Sequence, residues 1–317
     1  MNCAALAARK AATIFVTAFA AATMLAGAAM AQQTTDFSKV EEKVTDLGHR
    51  TYWIEGAGGN TTVAVGDDGI IMVDGQFAPL HDKLKAAIAK LSDKPIKYLV
   101  NTHFHGDHTG GNASFAKDGV TVVAQENVKK RLSEGTTNGL TGARTPPVAA
   151  DALPGKTYKS SMTLKVKGVT AQLKHPRPAH TDGDTYVYFK DANVLSTGDT
   201  VALGRYPNID FAAGGAIGGM IAAADTYLKL ANDDTKIVPG HGPMINKAKL
   251  VEYRKMLITA RDRVAKLMAA GKSEQEVIAA KPFAADLDKQ MGANEQQSTN
   301  FVRVIYNSLK KPTEKRA

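Results

Sequence analysis

The segment "NTHFHGDHTGG", residues 101–111, places three histidines and one aspartate within six positions. The whole chain has only 8 histidines in 317 residues, so this concentration is unusual. Crowded imidazole and carboxylate groups suit neither an apolar core nor an ordinary solvated surface, but they bind zinc well, and also iron or manganese. The segment follows the strand-like run "PIKYLV" and enters a glycine-rich turn. We therefore expect four side chains to point toward one region and to serve two metals rather than one: His103, His105, Asp107 and His108.

Three later loops contain further candidate metal ligands, and each follows a predicted strand. They hold His180 in "PRPAHTDGD", Asp199 in "LSTGDT" and His241 in "VPGHGP". Glycines near each residue let the backbone bend sharply toward a ligand. Taken singly, such a histidine is more often hydrogen-bonded or exposed than bound to metal. Together the four loops supply five histidines and two aspartates, enough for two metals that share one carboxylate.

The first 31 residues are typical of a secretory signal peptide rather than of a folded domain. Arg9 and Lys10 precede a long apolar run, and Ala29 and Ala31 form an A-x-A cleavage signal. We predict cleavage near Ala31 and a periplasmic or secreted protein, with an uncleaved membrane anchor as the alternative. The single cysteine, Cys3, would leave with this segment, so the mature chain would have neither disulfides nor thiolate ligands.

The remaining charge gives no sign of a nucleic-acid partner. The formal net charge of +9 falls to +7 without Arg9 and Lys10, and the only basic cluster is the tail "KKPTEKRA". Scattered lysines on helical stretches indicate a solvated surface rather than a phosphate-binding face. We expect a small-molecule substrate and no nucleic acid, with membrane contact only through an uncleaved signal segment. The sequence leaves the oligomeric state open.

Strands and helices alternate along the chain, which predicts an α/β fold with mixed sheets. "GTTNGLTGARTPP" is rich in turn formers, so we expect an exposed loop over residues 133–160. The chain from Lys247 has apolar residues every three or four positions and is predicted to be mostly helical. The other predicted elements are hairpins over 61–75 and 185–199, strands over 161–175, and helices over 79–91 and 218–231.

The motif H-x-H-x-D-H, present here as "HFHGDH" and followed by His180, Asp199 and His241 in order, resembles the metallo-β-lactamase superfamily. The resemblance covers roughly Lys39 to Leu250. It implies a four-layer αβ/βα sandwich over residues 32–250, with a helical C-terminal extension over 251–317 that packs on the same domain. It also implies two metal ions, most simply zinc. Its ligand sets are His103, His105 and His180 for the first metal, Asp107, His108 and His241 for the second, and Asp199 as the bridge.

By this resemblance the protein is a metallo-hydrolase in which a hydroxide between two metals attacks the substrate. Asp107 would orient that nucleophile and take its proton. The β-lactamases of the family commonly have cysteine or serine where this chain has Asp199, and a bridging aspartate is more similar to the glyoxalase and lactonase branches. We expect cleavage of a carboxylic ester or a β-lactam-like cyclic amide. The alternatives are a lactone or thioester hydrolase and a non-hydrolytic, iron-dependent oxidoreductase of the same fold.

Residues outside the ligand set receive weaker assignments. Loops 59–61 and 204–215 are candidates for substrate selection, where Arg205 would pair with a substrate carboxylate and Asn208 would polarise a carbonyl. Ordinary loop roles are an equal alternative for both residues. Asp74 either braces the metal loop or serves as a strand-end turn residue, and Asp184 is predicted to cap a turn.

Overall fold

A computed structural model of the chain describes residues 35–310. The predicted signal peptide, residues 1–31, and all of the basic tail after its first lysine lie outside the described residues. From Phe37 onward the chain forms one compact unit. Within residues 35–310, no helix combines the length and the apolar character that are needed to cross a bilayer.

The regular elements are runs of strands and helices that follow each other along the chain. The strands are β1 (Lys43–Gly48), β2 (Thr51–Glu55), β3 (Thr61–Val65), β4 (Ile70–Val73), β5 (Ile96–Val100), β6 (Thr121–Gln125), β7 (Thr136–Thr137), β8 (Arg144–Thr145), β9 (Lys156–Tyr158), β10 (Ser161–Val166), β11 (Val169–Lys174), β12 (Tyr186–Phe189), β13 (Val194–Ala202) and β14 (Lys236–His241). The helices are α1 (His81–Ala89), α2 (Gly106–Thr109), α3 (Asn112–Lys117), α4 (Glu126–Glu134), α5 (Ile217–Leu230), α6 (Lys247–Ala269), α7 (Glu274–Ala279), α8 (Leu287–Met291) and α9 (Glu295–Lys310).

Two sheets form the centre of the molecule. The first has the strand order β1-β2-β3-β4-β5-β6-β9, and the second has the order β10-β11-β12-β13-β14. Strands β4, β5, β6 and β9 pair in parallel, as do β13 and β14. The carboxyl ends of parallel strands share one edge of a sheet, so the loop after β4 lies beside the loop after β5 in the first sheet, and the end of β13 lies beside the end of β14 in the second.

The alternation of side chains along the strands separates two apolar layers. In β4, Ile71 and Val73 join a buried cluster with Leu173 and Val187 of the second sheet, so this cluster lies between the sheets. Neighbouring residues of the same strand, such as Met72, belong instead to a cluster with residues of α1 and α3. Strand β4 is therefore buried on both faces.

Helices cover the outer face of each sheet, which confirms the predicted four-layer αβ/βα sandwich. Leu84 of α1 and Phe115 of α3 pack on the first sheet. Met220 of α5, Leu257 of α6 and Ile305 of α9 belong to the cluster on the second sheet. The helices of the C-terminal extension thus share one apolar cluster with α5.

The segment 133–160 is more ordered than the turn-rich sequence predicts. It contains the end of α4, the β7–β8 hairpin and the short strand β9, which pairs in parallel with β6. In β9 only Tyr158 is buried, and three residues are too few to show an alternating pattern. The pairing with β6, rather than local sequence preference, makes this segment a strand.

Candidate metal centre

The histidine cluster follows β5 and continues into α2, which carries Asp107 and His108. The buried carboxylate of Asp74, directly after β4, braces this loop. It accepts hydrogen bonds from the Thr102 backbone N–H and hydroxyl, each at 2.8 Å, and lies 2.8 Å from His108 Nδ1. Asp74 has a positive φ of 65°, a backbone conformation that non-glycine residues rarely adopt. Of the two roles considered for Asp74, the geometry therefore supports the bracing one.

The three distant candidates belong to the second sheet or its loops, and they lie next to the histidine cluster of the first sheet. Asp199 lies within β13, and His241 ends β14 opposite Ala202 in the parallel register. His180 lies in the loop after β11, where buried Asp184 accepts hydrogen bonds from the backbone N–H groups of His180, at 2.8 Å, and of Thr181. Asp184 thus fixes the turn that carries His180, as its predicted capping role requires.

The candidate ligand atoms form three groups, and within each group they lie within 4.8 Å of one another. The groups are His103, His105 and His180; His103, His108 and Asp199; and Asp107, His108 and His241. The first and third groups coincide with the two ligand sets implied by the resemblance. All seven predicted residues are brought together.

Asp199 lies between the two sets. Its Oδ1 atom is 3.2 Å from His108 Nε2, and its Oδ2 atom is 3.4 Å from His241 Nε2 and 3.8 Å from His180 Nε2. His180 belongs to the ligand set of the first metal, and His108 and His241 belong to the set of the second. A carboxylate in this position is suited to bridge two metal ions.

Hydrogen bonds on the outer side of the cluster orient the imidazole rings. His103 Nδ1 lies 3.0 Å from the Thr102 hydroxyl oxygen, and His180 Nδ1 lies 2.8 Å from the Asn208 carbonyl oxygen. Each outer nitrogen faces an acceptor and so carries the proton, which leaves Nε2 as a lone pair directed at the centre. His105 is reversed, because its Nε2 lies 3.3 Å from the Asp210 carboxylate and its Nδ1 faces the cluster.

The histidine nitrogens that face the centre, together with one oxygen of Asp199, are arranged to bind a cation. His105 Nδ1 lies 3.1 Å from His103 Nε2 and 3.0 Å from His180 Nε2, so lone pairs face each other. Apart from its contact with His108 Nε2 at 3.2 Å, buried Asp199 Oδ1 has no hydrogen-bond partner among the described residues. Lone pairs that converge in a buried site repel each other unless a cation lies between them, and these donor types are those that zinc prefers. The residues therefore fit the implied metals.

The electrostatics favour the metal-binding protonation state for His103, His180 and Asp107, whereas, despite burial, nearby carboxylates raise the pKa values of His108 and His241. Burial and the charges of neighbouring histidines hold the pKa of His103 well below its usual range, and burial lowers the pKa of His180 to about 4. Burial opposes ionisation of Asp107, but the hydrogen bond to His241 lowers its pKa to about 2. Burial likewise opposes the charged form of His241, yet its bonds to Asp107 and Asp199 raise its pKa to about 9. Metal binding would therefore displace a proton from His241.

Sequence reasoning missed two residues that position the ligands. The Asp210 carboxylate contacts His105 and also accepts the Ala213 N–H at 3.0 Å. The Asn60 side chain donates to the carbonyl oxygens of Pro239 and Gly242, each at 2.9 Å, and so holds the loop of His241. The only sequence feature that could have indicated a positioning role for Asn60 is its place directly before a predicted strand.

The expectation that loop 59–61 selects substrates differs from what the structure shows. Gly59 lies against His108, and a side-chain carbon added at Gly59 would overlap the imidazole ring. The Gly59 N–H donates to the Asp107 carbonyl oxygen at 3.0 Å. Only a residue without a side chain fits so close to the ligands, so this loop supports the metal centre instead of forming a substrate-binding wall.

A cleft of about 400 Å³ opens beside the ligand cluster. His105, Asp107, Asp199 and His241 form part of its surface, and Arg205 and Asn208 of loop 204–215 line it as well. The C-terminal helix α9 completes the lining with Gln297, Asn300, Phe301 and Val304. The structure therefore places both predicted substrate-binding residues at the site and adds a wall that the sequence did not predict.

An αβ/βα sandwich with histidine and aspartate side chains gathered at one edge defines a class of metalloproteins. A family model of the metallo-beta-lactamase superfamily matches residues 54–241, more than half of the chain. The chain belongs to this superfamily.

Individual relatives are more distant. The chain is 31% identical over 153 residues to the alpha subunit of 2,4-dinitroanisole O-demethylase from Nocardioides sp., covering 47% of this chain and 43% of that protein. It is 26% identical over 251 residues to a linear primary-alkylsulfatase from Pseudomonas sp., covering 67% of this chain and 47% of that protein. The chain thus spans less than half the length of either relative. A solved sec-alkylsulfatase from Pseudomonas sp. has a TM-score of 0.62 at 18% identity, over 86% of this chain and 51% of that chain, and shows the shared fold.

Proposed function

We propose that this protein is a hydrolase that depends on two divalent metal ions and cleaves a carboxylic ester or a cyclic amide of a small molecule. One observation carries the proposal. The seven candidate ligands form three groups of closely spaced ligand atoms, and these groups lie beside an open cleft. When bound, the metals would supply Lewis acidity to the attacking water and to the scissile carbonyl. Zinc is the ion that we expect, and iron or manganese would also suit the donors.

Asp107 is the residue that we assign to proton transfer. Its side chain is 25% exposed, compared with 8% for Asp199, so it is the more open of the two carboxylates. Its lowered pKa makes it a carboxylate at neutral pH, and its Oδ2 atom lies 3.1 Å from His241 Nε2. A carboxylate in this position can accept a proton from the attacking water and return it to the leaving group.

Arg205 and Asn208 are the residues that we assign to substrate binding. Both are exposed and line the same cleft as the ligands. A guanidinium binds carboxylates in a planar, bidentate manner, and a carboxamide can donate to a carbonyl oxygen. Because the Asn208 backbone also accepts from His180, the loop that would hold the substrate is fixed to the metal centre.

Hydrolysis of an alkyl sulfate ester is a second candidate function. It is favoured by the sequence alignment with linear primary-alkylsulfatase, which extends over 251 residues. The same metals and Asp107 would serve such a substrate. We also propose export, with cleavage near Ala31, which would place either reaction outside the cytoplasm.

A hydrolysis screen tests these proposals. Zinc-loaded protein is assayed against β-lactams, carboxylic esters, lactones, thioesters, alkyl sulfates and phosphodiesters, with chelator-treated protein and Asp107→Asn as controls. We expect zinc-dependent cleavage of an ester or a cyclic amide. Cleavage of lactones or thioesters alone would establish the glyoxalase-like alternative. Stoichiometric iron in protein purified without added metal, together with oxygen consumption, would overturn the hydrolase assignment.

A further inference from the structure

Besides the candidate metal ligands, the cleft is lined by residues from two separate parts of the chain, which together form its second wall. Loop 204–215 contributes Arg205, and α9 contributes Gln297 and Asn300. The last two residues are three positions apart on a helix and therefore lie on the same face. No carboxylate side chain lines this wall, since the two carboxylates of the cleft are Asp107 and Asp199 on the metal side.

The polar groups of this wall have unused donors rather than unused acceptors. The Gln297 side-chain oxygen accepts from the Asn294 N–H, and the Asn300 side-chain oxygen accepts from the Gln296 side chain, each at 2.9 Å. These bonds fix which end of each carboxamide is oxygen, and no hydrogen bond among the described residues engages either NH₂ group. Within residues 35–310, no hydrogen bond or ion pair engages the Arg205 guanidinium.

The wall is held firmly in place. The ring of Tyr206, next to Arg205, stacks on Phe301 of α9, with 4.3 Å between ring centroids and 16° between planes. The Tyr206 hydroxyl donates to the carboxylate of Asp288 at 2.7 Å, and Ser298 of α9 donates to the same carboxylate at 2.9 Å. Donors on a fixed wall lose little conformational entropy when they bind a ligand.

We propose that Arg205, Gln297 and Asn300 form a subsite for an oxyanion on the substrate, either a carboxylate or a sulfate-type group. One cation and two NH₂ donors complement an acceptor-only group with several oxygens. The inference rests on the proposed function, in that the cleft beside the metals binds the substrate. It adds that the C-terminal helix α9 selects which substrates bind, by their charge.

Two substitutions test the subsite without disturbing the helix. Gln297→Glu and Asn300→Asp keep the oxygen that accepts the existing intrahelical bond, so the fold of α9 should be preserved. Each removes a donor and adds a negative charge that repels an anion. Gln290→Glu is the matched control, because it makes the same change at a residue that is exposed on α8 and does not line the cleft.

Binding is measured by calorimetry on the zinc-loaded full chain with butyrate, propanesulfonate and the neutral butyramide, so that no turnover is needed. We expect each anion to bind about three- to tenfold more weakly to either charged variant, a loss typical of a partly exposed charge-assisted hydrogen bond. Butyramide should bind all variants within twofold of wild type. Whichever anion binds the wild-type protein more tightly shows whether the subsite prefers a carboxylate or a sulfate-type group.

The outcomes separate this subsite from the proposed reaction. If both charged variants bind the anions as wild type does, or if wild type binds neither anion, the subsite is wrong, whatever the hydrolysis screen shows. If the screen finds no substrate but the variants weaken anion binding selectively, the subsite stands and the reaction is misassigned. An equal loss for butyramide and the anions would indicate a disturbed wall and would also overturn the proposal.

Discussion

Replacing Asn60 by leucine should weaken the second metal site and leave the first intact. The Asn60 side chain donates two hydrogen bonds of 2.9 Å to the carbonyl groups of Pro239 and Gly242, on either side of His241. Leucine has nearly the same shape and adds no charge, but it cannot donate. The backbone bond from the Asn60 N–H to the Gly240 carbonyl, at 2.8 Å, is retained, so the strand should remain in place.

The expected size of the effect follows from these two bonds. A neutral hydrogen bond contributes about 0.5–1.5 kcal/mol net, so the loss of both amounts to about 1–3 kcal/mol. With about 1.4 kcal/mol for each factor of ten, this corresponds to a Kd about 5- to 150-fold higher if all of it reaches the metal. Replacing a residue that orients a metal ligand typically lowers metal affinity or activity about 10- to 100-fold, which is in the same range.

The assay is a zinc titration against a competing chelator, with circular dichroism to confirm that the variant is folded. Asn232→Leu is the matched control, because Asn232 accepts a hydrogen bond from Asn193 near the opposite end of β14 from His241. The control should lose stability without losing zinc affinity. A second-metal Kd within twofold of wild type, or an equal loss at both sites, would refute the role of Asn60.

Four further outcomes are expected. Elemental analysis should find about two metal ions per chain at saturation, and His241→Ala should reduce this toward one; a single ion in wild type contradicts the dinuclear site. Asp107→Asn should lower turnover by about 10²–10⁴-fold at unchanged metal content, and a loss of only a few-fold would make Asp107 a ligand alone. Gly59→Ala should cost the second metal, because the new methyl group overlaps a ligand imidazole; full metal content would show that the loop can move. Mass spectrometry of exported protein should find a chain that begins near Gln32, whereas an intact Met1 would support the membrane anchor.

The candidate ligands could be predicted from the sequence because they lie in short, recognisable segments. The four residues of "HFHGDH" are local, and the three distant loops follow strands that periodicity identifies. The order of the layers also follows from alternating strands and helices. Strand β9 was missed since its three residues form a strand only through pairing with β6.

Two residues that orient the ligands, Asn60 and Asp210, could not be predicted, because their partners are remote in sequence. Asn60 and Pro239 are 179 positions apart, and His105 and Asp210 are 105 positions apart. No local pattern distinguishes these side chains from ordinary loop residues. Their roles depend on two sheets packing with their loops at one edge, which is a property of the complete fold.

In the proposed function, loop 204–215 takes part in both metal binding and substrate selection, through different residues. The Asn208 carbonyl orients His180, and the Asp210 carboxylate contacts His105, so the loop holds two ligands of the first metal. The Arg205 side chain points to the cleft and has no bond to either ligand. Tyr206 fixes the loop to α9, whose polar residues face the cleft but make no hydrogen bond to a metal ligand. If the two metals and the substrate bind as proposed, substitutions on α9 should change which substrates bind without loss of metal, whereas a change in the backbone of the loop should disturb His180 and substrate binding together.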